Sequence, residues 1–309
     1  VRYLTHYMRH ASSSTGQPIV NCRVQDSYGL GCTALAAKHD NHEVVTYFCQ
    51  INNPSIEFGV NINQVTRDEN NTALHVAAQH NSKEAAKSLL QMIPREIDPL
   101  RRNKRGMTAL HIAASRGHAE IVKEFVTSLR DGMKDLDTAD SVGMTPLFYA
   151  SWKGFKEIVT QLAPISDTNR LCTVAILKRP RQQPSPVPSS SNQEMDDPSP
   201  ISTAVTDATN IPSRKITTMQ KPALIAAVNR GHIDIIYTLL YCGADPNLSD
   251  HKGDTALSHA AKDGQLDIVE LLVTRGADPK IRSKGGRLPI WKARKNKHFD
   301  IVDYLERCT

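Results

Sequence analysis

The sequence predicts an all-α solenoid of about seven helix-turn-helix units, and three observations carry that prediction. The tetrapeptide Thr72-Ala73-Leu74-His75 returns as Thr108-Ala109-Leu110-His111 and, altered, as Thr145-Pro146-Leu147-Phe148 and Thr255-Ala256-Leu257-Ser258. Each copy continues into a small pair (Ala77-Ala78, Ala113-Ala114, Ala260-Ala261), a turn residue (Asn81, Gly117, Gly264) and an apolar helix such as Ile268-Val269. The spacing is nearly constant: Pro222, Thr255 and Leu288 lie 33 and 33 apart, and Thr72, Thr108 and Thr145 lie 36 and 37 apart. A repeat of this length is one supersecondary unit that cannot bury its apolar face alone, so it stacks on its neighbours.

Each part of the unit has a physical reason. Thr at the anchor is suited to an N-cap, its hydroxyl accepting an orphan backbone N–H. The alanine pair lets two helices approach closely, because no atom beyond Cβ intervenes. Gly117, Gly154, Gly231 and Gly264 stand where the first helix must stop, a site favouring a left-handed residue. Asn81 and Asp40 replace Gly there, and both tolerate that conformation better than most residues. The second helix shows one buried stripe, as in Ile235, Ile236, Leu239 and Leu240. In repeat one the gapless frame puts Gly31 at the Thr position and leaves Thr33-Ala34-Leu35 two residues late; that frame is preferred. Repeat seven has Lys297 in place of the turn glycine and Arg294 in place of an alanine. It reads as a polar capping repeat, or as an interior repeat cut off. Trp291 stands where the motif has His and is expected in the core.

The run from Gly106 to Val122, with the endings Gly243-Ala244-Asp245-Pro246-Asn247 and Gly276-Ala277-Asp278-Pro279, resembles the ankyrin repeat. The resemblance covers roughly residues 18–165 and 214–309, with Asp26-Ser27-Tyr28-Gly29 fitting the opening turn. It implies hairpin-like finger loops between units and a concave face made by finger tips and the ends of the first helices. On that face it places Lys104, Arg105, Arg116, Trp152, Lys153, Arg230 and Lys252 as the partner-binding residues, with Trp152 flanked by Arg116 and Arg230. Trp and Arg are over-represented at binding hot spots, because they bury area and also hydrogen-bond.

Composition fits a stack better than a single large core: 39% of residues are hydrophobic but only 5% aromatic. The chain starts at Val1, and Val1-Arg2-Tyr3-Leu4 resembles the middle of a second helix, so residues 1–25 read as the end of a truncated preceding repeat in a longer protein. Residues 26–165 then hold repeats one to four, and 214–309 hold repeats five to seven. Thr145 and Pro222 are 77 apart, so one 33-residue step leaves about 44 surplus. Between Pro180 and Pro200 stand six prolines and five serines, and no Phe, Tyr or Trp occurs between Phe155 and Tyr237. Such a segment cannot bury enough apolar surface to offset its ordering entropy, and 166–213 is read as a disordered insertion. A mispredicted exon would look the same. Ser185 and Ser199, each followed by Pro, are candidate phosphorylation sites near the acidic Glu194, Asp196 and Asp197.

Catalytic chemistry finds no foothold: the sequence has no Gly-rich phosphate loop, no Gly-x-Ser-x-Gly elbow and no HExxH. His75 and His111 read as local partners of their own Thr, and His39 with His42 as a solvated turn rather than half a metal site. The six cysteines show no CxxC pair, which points to a reducing compartment, cytoplasmic or nuclear. Charge is more informative. From Lys280 to Lys297 there are eight Lys or Arg and no acid, including Lys284, Arg287, Lys292, Arg294, Lys295 and Lys297. This basic run is an alternative site for an acidic protein, nucleic acid or an anionic membrane surface. The leading reading is a non-catalytic module or scaffold for a protein partner, with no metal, cofactor or small-molecule substrate. The regulatory or substrate-recognition part of a larger enzyme or ion channel is the second.

Overall fold

The architecture is that of a computed structural model, which describes residues 29–50, 62–91, 97–129, 136–177 and 216–308. Seven helix pairs follow one another among them. The first four are α1 (Cys32–Lys38) with α2 (His42–Gln50), α3 (Ala73–His80) with α4 (Lys83–Leu90), α5 (Ala109–Arg116) with α6 (Ala119–Leu129), and α7 (Pro146–Lys153) with α8 (Lys156–Leu162). Then come two strands, β1 (Cys172–Leu177) and β2 (Ile216–Lys221). The last three pairs are α9 (Ala223–Val228) with α10 (Ile233–Tyr241), α11 (Ala256–Asp263) with α12 (Leu266–Thr274), and α13 (Pro289–Lys295) with α14 (Phe299–Cys308). First helices pack in one continuous row from α1 to α13, each on the next. The core runs along that row, with Ala77, Ala78, Ala113, Ala114, Ala260 and Ala261 fully buried. Small side chains there bring the helices close, which is where the sequence placed them.

Thr72, Thr108, Thr145 and Thr255 each accept the backbone N–H of the residue three ahead, capping α3, α5, α7 and α11. In repeat one α1 starts directly after Gly31, so the gapless frame holds and Thr33 lies inside the helix. His75 and His111 do more than the expected local bond. Nδ1 lies 2.8 Å from the hydroxyl of Thr72 or Thr108, while Nε2 reaches the carbonyl of Met107 (3.0 Å) or Met144 (3.2 Å) in the next repeat. A carbonyl only accepts, so Nε2 carries the proton and Nδ1 accepts from threonine. Each buried imidazole therefore fastens one repeat to the following one.

The turn glycines have a second duty. Gly117 sits at φ +83°, and a Cβ there would lie 2.8 Å from the ring of Phe155, which the next repeat lays over it. Lys297 takes the same left-handed conformation at φ +65°. Among the described residues no further repeat packs over it, so a side chain is sterically admitted there, but the backbone strain remains. Lys297→Gly is expected to raise stability by about 0.5–1 kcal/mol, the left-handed penalty less glycine's entropy cost. Thermal denaturation checks this, and a lowered midpoint would show that the lysine side chain outweighs the strain.

Finger loops are tied by single backbone bonds, one across each of five junctions. Lys104 donates to Glu69, Ser141 to Arg105, Thr173 to Gly143, His251 to Gln220, and Lys284 to Lys252. Between repeats four and five the finger lengthens into an antiparallel ladder, Cys172 opposite Lys221 through Leu177 opposite Ile216. This corrects the boundary of the insertion: residues 166–177 are not part of a disordered segment. Thr173, Val174 and Ile176 on β1, and Ile216, Thr217 and Thr218 on β2, are β-branched and suit a pleated ladder. The Pro/Ser punctuation starts only at Pro180. Residues 178–215, with Ser185, Ser199 and the acidic patch, lie outside the described residues, as do residues 1–25, where the sequence predicts the end of a preceding repeat. Among the described residues no helix is long and apolar enough to cross a membrane.

Candidate partner-binding surface

The Thr145 cap fixes the register of α7, and seven residues on, Trp152 falls in its last turn. The indole is half-buried and packs partly against the core. Arg230, in the turn between α9 and α10, lays its guanidinium 4.6 Å from the ring centroid. The ammonium of Lys153 lies 5.9 Å from the same centroid. Trp152, Lys153 and Arg230 are thus brought together as expected. Arg116 is not among the cations over this ring. It is exposed at the end of α5, and its charge acts on His118 and His80. Burial chiefly lowers the pKa of both histidines; Arg116 adds to that, after Lys38 in the case of His80.

Two more expected residues are occupied by the neighbouring finger. Lys104 donates its ammonium to the carbonyl of Arg67 at 2.9 Å, and the Arg105 guanidinium lies 3.3 Å from Glu69. Lys252 belongs elsewhere, in a cleft with the C-terminal basic run.

That run is divided by the structure. Lys292 is buried, with its ammonium 2.5 Å from Asp254, so it leaves the proposed exposed basic site. Lysine at this position reaches back to the preceding finger, and a buried charge needs such a partner. Arg294 pairs with Glu306 at 2.7 Å. Lys284 and Lys297 are exposed at a finger and a turn. Trp291 also departs from expectation: it is 41% exposed rather than core. The motif histidines are buried because the next repeat covers them, and among the described residues nothing covers repeat seven. Arg287 and Lys295 lie over the indole instead, at 4.4 and 5.4 Å from its centroid.

A family model described as ankyrin repeats (3 copies) matches residues 8–103, 91–171 and 224–307. The chain belongs to the ankyrin-repeat family. Two solved structures are similar. The ankyrin repeat domain of Bcl-3, titled a unique member of the IkappaB protein family, is 19% identical with a TM-score of 0.63. The match covers 91% of this chain and 100% of that one. The ankyrin repeat protein EF0377 is 25% identical with a TM-score of 0.53, covering 75% of this chain and 96% of that one. Among curated proteins none matches the chain. Ankyrin repeats in general are protein–protein interaction modules.

Within this ankyrin stack, one cluster of possible metal ligands occurs among the described residues: Asp250, Asp254 and His259, with atoms within 4.8 Å of one another. Its groups are already engaged. Asp250 accepts backbone N–H groups from Lys252 and Asp254 and pairs with His259 Nε2 at 3.1 Å, while Asp254 holds Lys292. Burial raises the pKa of Asp250, but the hydrogen bonds from His259 and the backbone outweigh it and hold the carboxyl at about 2. Repeat four does the same with Tyr149, whose hydroxyl donates to Asp140 at 2.8 Å. Sequence reasoning missed this device. The signal was available: Tyr149, His259 and Lys292 all stand four residues after their anchors. His39 and His42 are both exposed at the α1–α2 turn.

Proposed function

We propose that the chain is a non-catalytic adaptor or scaffold segment that binds a protein partner on its concave face, around Trp152. The observation carrying this reading is the half-buried indole with the Arg230 guanidinium over it. A rigid aromatic and a held guanidinium supply contact area and directed hydrogen bonds at little entropy cost. Lys153 adds positive charge to the same spot, which suits an acidic partner. We place its work in the cytoplasm, with the nucleus second, because the cysteine spacing shows no disulfide framework.

The test is quantitative binding of an affinity-captured, purified partner to the intact chain and to Trp152→Ala. A loss of about 2 kcal/mol, roughly thirtyfold in Kd, is expected, with the thermal midpoint little changed. Normal binding by Trp152→Ala would remove the site assignment. Unfolding of the variant would make Trp152 a packing residue.

A further inference from the structure

We infer that a second site, in the cleft between repeats six and seven, binds a peptide segment carrying several carboxylates. The cleft has a volume of about 340 Å³ and is lined by Lys252, Lys262, Arg287, Trp291, Lys292 and Lys295, with Asp254 its only acid. Lys292 and Asp254 neutralise each other at 2.5 Å, which leaves four cations. Lys262 also touches Asp263 at 3.0 Å on the exposed surface, a contact of little worth. Lys252, Arg287 and Lys295 have no carboxylate partner among the described residues.

The arrangement favours carboxylates over the other polyanions. Arg287 and Lys295 both lie over the indole of Trp291, so its π surface is occupied by cations. Sites for single-stranded nucleic acid instead keep aromatic faces open for bases to stack on. A guanidinium over an indole keeps its N–H donors, a fork that a carboxylate accepts in pairs. The four cations come from a finger and a helix end in each of two repeats. A single small anion reaches only part of that set, whereas charges spaced along a peptide reach all of it. This site shares no residue with the Trp152 surface, and it stands or falls independently.

The test uses fluorescein-labelled hexaglutamate, the intact chain, and anisotropy at near-physiological salt. Arg287→Ala with Lys295→Ala is expected to weaken binding tenfold or more. Lys280→Ala with Lys297→Ala removes the same charge from exposed positions outside the cleft and is expected to change it less than threefold. Trp152→Ala is expected to bind the peptide normally. Equal losses in the two double variants would mean diffuse attraction and overturn the proposal. So would tighter binding of a single-stranded oligodeoxynucleotide of equal charge that depends on Arg287 and Lys295.

Discussion

Acidification from pH 7.5 to 4.5 is expected to destabilise the protein by several kcal/mol, with His75 and His111 the main cause. Burial holds both imidazoles at a pKa of about 4, against 6.5 for a free histidine. The folded chain therefore prefers them neutral. That preference contributes fully above pH 6.5 and is lost as pH falls from 6.5 towards 4, because unfolded chains take up protons that the folded one refuses. Each shift corresponds to about 3 kcal/mol, and the two together rival the 5–15 kcal/mol stability of a typical domain. Asp137 acts in the opposite sense. Burial raises its carboxyl to about 6, so the fold gains from protonating it as pH falls. Partial exposure reduces that gain. Urea midpoints across the pH range test the account. Asp137→Asn should deepen the acid loss, and His75→Gln with His111→Gln should flatten it. A double variant with the parent's pH dependence would assign the effect to other groups.

Leu257→Ala is expected to cost about 2–5 kcal/mol through the cavity it leaves. Leu257 is 1% exposed in α11, between the rows of repeats five and seven. Lys262→Ala, on an exposed position of the same helix, should change stability little. Each repeat leans on its neighbours, so the damage should spread locally. Hydrogen exchange is expected to quicken across residues 216–308 and to stay unchanged across 62–129. Equal costs for the two variants would show that the helix register is wrong.

Most of the stack was legible because its signals are local. Thr108 caps the helix it begins, Gly117 ends it, and Ala113-Ala114 declare a close approach within eight residues. What escaped depends on a neighbour. Trp291 shares its position with His75 and His111, yet it is exposed because nothing among the described residues lies over it. Lys292 looked like one more charge in a basic run until the finger of repeat six supplied Asp254. The same holds for Lys104 and Arg105, spent on the previous finger. β1 is hidden in the sequence by the Pro/Ser-rich stretch that follows it, although the β-branched residues ahead of Pro180 favour pairing.

The ladder of β1 and β2 turns the interruption into an excursion that returns to its point of departure. Leu177 and Ile216 are paired across the strands, so the 38 residues between them, 178–215, leave and re-enter at neighbouring points. Chain closure of this kind costs only about 0.6 kcal/mol for each doubling of length. The helices on either side feel none of it: α7 still packs on α9 as α5 packs on α7. Length and composition at that fingertip are therefore free to drift while the stacking register stays fixed. The fold can carry an appendage of nearly any size there without altering the surfaces on either flank.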